Sequence, residues 1–150
     1  MLDCHDGVPI KPDLDDLYDG TTARKLVDTC LERGSNLSLI YAPKYRDPDG
    51  FDVHQIRSTY YSMLGKDDDA YIAARAIPFF APSVPQVYYV GLLAGENDTA
   101  ILEQGGEGRD INRHNYSLNE IKQEVGREVV QRLRRLIQFR NEHPAFDGEF

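Results

Sequence analysis

Two short apolar runs, both typical of buried strands, limit what this chain can fold into. The first is Met1–Cys4, followed by His5–Gly7, and the second is Val84–Val90, followed by Gly91. Helical patterns lie between and after them, so the predicted order is strand, helix, helix, strand, helix. A short apolar strand after a buried helix is typical of a parallel sheet. Two such strands cannot close a sheet, so we expect most of the sheet to lie outside these 150 residues.

The first predicted strand begins at residue 1 and has no partner before it. This indicates a fragment or a truncated gene model rather than a natural N-terminus. Both strands are followed by long polar loops, and in a β/α barrel such loops build the active site. Residues 91–116 form one of these loops, and a connection of that length is more often functional than idle.

A first helix is predicted after a loop at residues 8–20. Thr21 and Thr22 are residue types that cap helices, and Gly34 stands where a C-terminal glycine is expected. Residues 35–51 contain two prolines and a glycine and are predicted to be mostly irregular. The predicted apolar face of this helix consists of Leu26, Val27, Cys30 and Leu31.

Two further helices carry clearer signals. The segment from about Asp69 to Ile77 is apolar almost all round, which predicts a buried helix that Pro78 ends or kinks. Ser117–Glu120 has the pattern of a capping box. A last helix is predicted from about Gly126 to Asn141, with its apolar stripe at Val129, Val130, Leu133, Leu136 and Ile137.

Charge and composition exclude several classes of protein. The chain has 17 basic and 25 acidic residues, a net charge of −8, and this disfavours partners such as nucleic acid or an anionic membrane. No apolar run approaches the roughly 20 residues that span a bilayer, and no secretory signal opens the chain. Cys4 and Cys30 do not make a disulfide framework, so we expect reduced thiols in a cytoplasmic protein.

Two polar motifs could carry chemistry. His5-Asp6-Gly7 presents a histidine and a carboxylate at a strand end, although an aspartate there also commonly fixes a turn. Gly108–His114 contains Arg109 and Arg113, which could hold hydroxyls or an anion, or could pin the loop through internal ion pairs. No calcium loop, dinucleotide fingerprint or Ser-His-Asp spacing is present, so we expect neither a metal nor a cofactor.

Several segments in order resemble one family. They are similar to the C-terminal part of the catalytic barrel of the sucrose phosphorylase group, in glycoside hydrolase family 13 of the α-amylase superfamily. The Leu2–Pro9 and Gly106–Arg109 contexts look more like the glucosylglycerate type. The segments are Leu2–Gly7, Ser58–Ser62, Tyr71–Ala76, Val84–Gly91, Leu93–Gly95, Gly108–His114, Phe139–Asn141 and Ala145–Gly148.

The resemblance implies an α/β fold, part of a (β/α)₈ TIM barrel. Residues 1–148 would hold barrel strands seven and eight with their helices, and residues 8–57 would hold an inserted subdomain. Residues 149–150 would approach a C-terminal β domain. The family transfers glucose from an α-glucoside to phosphate with retention, which needs two carboxyl groups about 5 Å apart. Both come from strands four and five, so this chain alone is predicted to be inactive.

The resemblance also implies roles for individual residues. Asp6 matches a carboxylate that binds glucose hydroxyls and stabilises the transition state, and His5 and Arg109 match residues that bind the same glucose. Asp52, His54 and Gln55 match a mobile loop that alternates between acceptor and phosphate. Sucrose-specific members typically have tyrosine where this chain has His54, and a histidine suits an anionic acceptor.

Two other functions remain open from the sequence. The chain could come from a hydrolase or transglucosidase of the same superfamily, although the Gly108–His114 motif favours the phosphorylases. It could also be a non-catalytic remnant, because isolated barrel strands expose their edges. The expected partners are a small α-glucoside and inorganic phosphate, and the sequence leaves the oligomeric state open.

Overall fold

A three-stranded antiparallel sheet forms the first half of the structure. The computed structural model describes residues 3–10, 18–39, 52–82 and 84–148. The strands are β1 (Val8–Pro9), β2 (Asn36–Leu39) and β3 (Val53–Arg57), in the order β1-β3-β2. On the central strand, Ile56 lies opposite both Val8 and Leu37.

Helix α1 (Gly20–Glu32) packs against this sheet through small and medium apolar side chains. Leu26 and Leu31, which were predicted to lie on the apolar face, are each 41% exposed. The buried face of α1 instead consists of Ala23, Val27 and Cys30. The N-cap is Asp19, whose side chain accepts from the Thr22 amide, rather than either threonine. The core shared by helix and sheet consists of Ile10, Ala23, Val27, Cys30, Val53 and Ile56.

The predicted loops around this sheet were partly wrong. Val8–Pro9 and Asn36–Leu39 are strands because each pairs with β3, which is a long-range contact that local propensity does not reveal. Residues 11–17 and 40–51 lie outside the described residues. Gly34 has φ +82 and follows the last turn of α1, as predicted.

The second half is helical. It contains α2 (Tyr60–Met63), α3 (Asp68–Phe80), α4 (Tyr89–Leu92), α5 (Thr99–Glu103), α6 (Leu118–Val125) and α7 (Glu128–Glu142). Two 3-10 helices lie at Gly108–Asn112 and Pro144–Phe146. Helix α3 packs on α7 around a second core, formed by Tyr61, Tyr71, Phe79, Leu93, Ala94, Val129, Val130 and Leu133.

The helix predictions from local signals are largely confirmed. The capping box at Ser117 and Glu120 starts α6, and the apolar stripe of α7 faces the second core. Helix α3 continues through Pro78 to Phe80, so this proline does not end it. Among the described residues, every helix is too short or too polar to span a bilayer.

Among the described residues, neither Asp3–Cys4 nor Val84–Val90 forms the predicted parallel strand. Residues 84–88 have no regular structure, and Tyr89–Leu92 is a helical turn. Residues 1–2 lie outside the described part, while Asp3 and Cys4 have no regular structure. A strand needs a hydrogen-bonded neighbour, and none of the described strands pairs with either run.

Candidate functional site

Two segments that are far apart in the sequence meet at one surface. We call residues 3–7 the carboxylate segment and residues 108–113 the arginine turn. The Asn112 side-chain amide donates to the Cys4 carbonyl over 2.9 Å. Arg113 donates from Nε to the His5 carbonyl over 2.9 Å and from Nη2 to Asp6 Oδ1 over 3.3 Å. These contacts unite the two polar motifs that the sequence analysis identified.

The carboxylate segment bends sharply against the sheet at Gly7. This glycine has φ +95, and a Cβ there would lie 2.2 Å from the Ile56 carbonyl oxygen. Only glycine can adopt this positive φ and also fit this close to the Ile56 carbonyl without a shift of the backbone. The Gly7 amide donates to the Cys4 carbonyl over 3.3 Å, which closes the turn and exposes His5 and Asp6 at its tip.

The arginine turn is fixed from both sides. Glu107 and Asp110 form a capping box at the start of its 3-10 helix. The Asn36 side chain donates to the Gly108 carbonyl over 2.7 Å, so β2 braces the turn. Ile111 and Asn112 are each 1% exposed and anchor the turn in the protein interior, while the side chain of Arg109 is 45% exposed.

The Asp6 carboxylate is the centre of this surface. Its side chain is 40% exposed, with His5 Nε2 at 3.2 Å from Oδ2 and Arg109 Nη1 at 4.0 Å from Oδ1. The Arg109 side chain is 45% exposed and lies 3.8 Å from Glu107. Each carboxylate oxygen can accept about two hydrogen bonds, so acceptor sites remain for a ligand with hydroxyl groups.

The structure brings His5, Asp6 and Arg109 together and places the other predicted site residues on the sheet. Asp52, His54 and Gln55 match a mobile loop in the resemblance, but Val53–Arg57 is the central strand β3 and Asp52 directly precedes it. The Ile10 amide donates to the His54 carbonyl over 2.8 Å, which extends the pairing of β1 and β3. The His54 side chain is exposed, and Gln55 is half-buried.

The same turn also places potential metal ligands near one another. One donor atom each from Cys4, His5 and Asp6 lies within 4.8 Å of the others. Arg109 and Arg113 both approach the Asp6 carboxylate, and two guanidinium groups there oppose a divalent cation. The charges around Asp6 therefore suit a neutral or anionic ligand better than a metal.

Sequence reasoning missed the cluster that supports the end of the arginine turn. His114 Nδ1 lies 2.7 Å from Asp98 Oδ2, and its Nε2 lies 3.2 Å from Glu120 Oε1. The hydrogen bond with Asp98 is the largest cause that raises the pKa of His114, and Glu120 adds to it. Asp98 lies 16 positions before His114 and Glu120 lies 6 after it. No local pattern links the three residues, so the only signal in the sequence was the capping box that contains Glu120.

Comparison with known proteins identifies relatives of this chain. The chain is 65% identical over 150 residues to the sucrose 6(F)-phosphate phosphorylase of Thermoanaerobacterium thermosaccharolyticum, covering 100% of this chain and 31% of the relative. A crystal structure described as the same enzyme from Thermoanaerobacter thermosaccharolyticum matches with a TM-score of 0.94 and 64% identity, covering 99% of this chain and 30% of that one. The chain is homologous to the sucrose phosphorylase group. No family model matches it.

The relatives within this group differ in their substrates. The glucosylglycerol phosphorylase of Marinobacter adhaerens is 47% identical to this chain over 150 residues, and the match covers 100% of this chain and 31% of that relative. The glucosylglycerate phosphorylase of Escherichia coli is 30% identical over 160 residues, so identity does not favour the glucosylglycerate type. The chain spans about a third of the length of the curated relatives it matches.

Proposed function

We propose that this chain is the C-terminal part of the catalytic (β/α)₈ barrel of an α-glucoside phosphorylase. The enzyme transfers glucose from an α-glucoside to inorganic phosphate with retention and releases α-glucose 1-phosphate. It is a cytoplasmic enzyme, which agrees with the free thiols of Cys4 and Cys30. The observation that carries this proposal is the convergence of His5, Asp6 and Arg109 on one exposed surface.

The proposed division of the chain follows its two cores. Residues 8–57 are an inserted subdomain, which is supported by the separate core that α1 builds with the sheet. The helical core belongs to the barrel, and its residues come from before and after the arginine turn in the sequence. Residues 1–148 are the barrel segment, and residues 149–150 lead into a C-terminal β domain.

Asp6 acts on the charge that develops during the transfer. As the glycosidic bond breaks, the anomeric centre becomes oxocarbenium-like, and a nearby carboxylate stabilises that positive charge. His5 and Arg109 lie on either side of Asp6 and donate hydrogen bonds to glucose hydroxyls. The nucleophile and the general acid are outside this chain, so Asp6 has no bond-forming role.

The acceptor is anionic, and a sugar phosphate is the best candidate. The 65% identical relative is named for sucrose 6(F)-phosphate. His54 is exposed on β3, with Asp52 and Gln55 close to it in the sequence, and the resemblance assigns this segment to the acceptor. A histidine can give a charge-assisted hydrogen bond to a phosphate, whereas tyrosine cannot carry positive charge.

The test measures glucose 1-phosphate release with sucrose 6(F)-phosphate, sucrose and inorganic phosphate. We define the complete enzyme as a full-length phosphorylase with this chain in its homologous position. It comes from the complete gene, or from replacing the homologous third of the Thermoanaerobacterium thermosaccharolyticum relative. The complete enzyme is expected to release α-glucose 1-phosphate, and the 150-residue chain alone is expected to release none.

Three other results would change the proposal. Release of free glucose at the same rate with and without phosphate would indicate a hydrolase. No turnover by the complete enzyme would indicate a non-catalytic remnant. Glucose 1-phosphate from the 150-residue chain itself would contradict the assignment of the nucleophile to another part of the polypeptide.

A further inference from the structure

Arg113 makes a two-point contact that Arg109 does not. Its Nε donates to the backbone carbonyl of His5, and its Nη2 donates to the side chain of the next residue, Asp6. The Arg113 side chain is 29% exposed, against 45% for Arg109, whose nearest approach to Asp6 is 4.0 Å. Arg113 is therefore the more shielded and the more closely bound of the two arginines.

The two contacts fix Asp6 relative to its own backbone. Because Arg113 Nε is held by the backbone carbonyl of His5, the position of Nη2, the other end of the guanidinium fork, is fixed, and Nη2 in turn fixes the position of Asp6 Oδ1. The second carboxylate oxygen, Oδ2, then lies 3.2 Å from His5 Nε2. A lysine carries a single charged nitrogen on a flexible stem and cannot reproduce this fork.

Arg113 is itself held in place by the turn that carries it. Its amide donates to the Asp110 carbonyl over 3.0 Å. The preceding residue, Asn112, is 1% exposed and reaches the Cys4 carbonyl. Consecutive residues of the arginine turn thus hold consecutive residues of the carboxylate segment, which is the arrangement of a support rather than of a ligand contact.

We infer that Arg113 is a positioning residue that orients the Asp6 carboxylate toward the sugar, while Arg109 is left to contact the substrate. This inference rests on the proposed function and assigns a separate role within the same site. A carboxylate that turns away by about 1 Å loses much of its effect on the transition state, on the order of 10²-fold. The loss falls mainly on kcat, because the position of the carboxylate matters most for the charge that develops in the transition state, while His5 and Arg109 also hold the ground-state sugar.

The experiment compares three arginine-to-lysine variants of the complete enzyme. Arg113→Lys and Arg109→Lys change the two site arginines. Arg132→Lys is the matched control, because Arg132 is 31% exposed and pairs with Asp69 at 2.7 Å, between α7 and α3. For each variant we would measure kcat and KM for sucrose 6(F)-phosphate and the midpoint of thermal unfolding.

The expected pattern separates the two roles. Arg113→Lys lowers kcat by roughly 10- to 100-fold with little change in KM or in the unfolding midpoint. Arg109→Lys raises KM, and Arg132→Lys changes neither constant. Arg113→Ala with added guanidinium chloride, at concentrations too low to denature, recovers part of the lost kcat, and Arg132→Ala shows no such effect.

Several results would overturn the inference. One is a kcat for Arg113→Lys within about twofold of the unmodified enzyme. Another is a rise in KM alone, which would make Arg113 a substrate contact. If neither Arg113 variant folds, the residue belongs to the fold. An unmodified complete enzyme that turns over no α-glucoside overturns the proposed function, and this inference with it.

Discussion

The carboxylate segment carries two aspartates, three residues apart, whose contacts with arginine differ in exposure and in consequence. Asp3 and Arg75 form a bidentate pair with distances of 2.9 and 2.6 Å, and their side chains are 4% and 1% exposed. Asp6 is 40% exposed and contacts its arginines at 3.3 and 4.0 Å. We call the first the inner pair and the second the outer cluster.

The inner pair is closed to any ligand. The Arg75 guanidinium also donates to the Tyr71 hydroxyl over 2.7 Å and lies over two tyrosine rings. A Cβ at Gly91 would lie 2.0 Å from Arg75 Nη2, so the helical core fits closely around the pair. Burial raises the pKa of Tyr71 to about 12, so this hydroxyl stays protonated.

The difference teaches that one short segment separates two tasks. The inner pair ties the start of the segment to α3. Removing either partner would lower the stability of the fold strongly, because the other charge would stay buried without a partner or water. The outer cluster stays open, so each contact contributes little stability but remains available to a substrate. Substitutions should therefore change stability at Asp3 and Arg75, and turnover at Asp6.

The largest effect is expected from breaking the inner pair. Arg75→Met in the complete enzyme leaves Asp3 buried without a partner, which costs about 3–5 kcal/mol in the free energy of unfolding. Urea unfolding measures it. The double variant Asp3→Leu/Arg75→Met should recover part of the loss, because it removes the unpaired charge. A single variant as stable as the unmodified enzyme would show that the pair does not hold the segment.

A smaller effect is expected at His54, the residue that we propose contacts the acceptor. His54→Tyr should lower the preference for sucrose 6(F)-phosphate over sucrose, because one charge-assisted contact worth about 1.5–3 kcal/mol is lost. That corresponds to roughly a 10- to 150-fold change in the ratio of kcat/KM values. Kinetics on sucrose, sucrose 6(F)-phosphate and glucosylglycerate would decide. An unchanged preference, with all acceptors affected alike, would mean that His54 has only a structural role within β3.

The smallest effect concerns His114, which is 31% exposed and so lies between the two extremes. Its pKa is raised from an ordinary 6.5, mainly by the hydrogen bond with Asp98, so the folded state keeps the proton to higher pH than the unfolded chain. The stability from this contact is therefore full below pH 6.5 and is lost as pH rises through the raised pKa. Solvent screening limits it to less than about 1 kcal/mol.

The comparison of unmodified enzyme and His114→Gln by urea unfolding, at pH 6 and pH 9, tests this. The variant should be less stable at pH 6, and the difference should shrink by pH 9. Asp98→Asn is the matched control, because it removes the main partner of His114 and should give the same trend. A difference that is equal at both pH values would mean that the charge of His114 does not contribute.

Much of the helical half could be predicted because its signals are local. The capping box at Ser117 and the apolar stripe of α7 depend on residues a few positions apart. The sheet could not be predicted in this way, because β2 and β3 form only by pairing with each other, and they are separated in the sequence. Val84–Val90 shows the reverse error, since strand propensity without a neighbouring strand gives no strand.

The candidate site was predictable only in part. The motifs around Asp6 and Arg109 stood out by composition, and the resemblance assigned their roles. The fork that Arg113 makes spans 107 residues and depends on the buried position of Asn112, so no local pattern contains it. The inner pair is also a long-range contact, because Asp3 and Arg75 are 72 positions apart in the sequence.

The most direct test of the account is the turnover of Asp6→Asn in the complete enzyme, measured beside its unfolding midpoint. This substitution keeps the shape of the side chain and removes its charge. The account predicts that kcat falls by at least about 10²-fold while the midpoint stays within the range of the unmodified enzyme. Asp3→Asn, the same change in the inner pair, should instead lower the midpoint. Near-normal turnover by Asp6→Asn would contradict the central claim and would assign Asp6 to the turn alone.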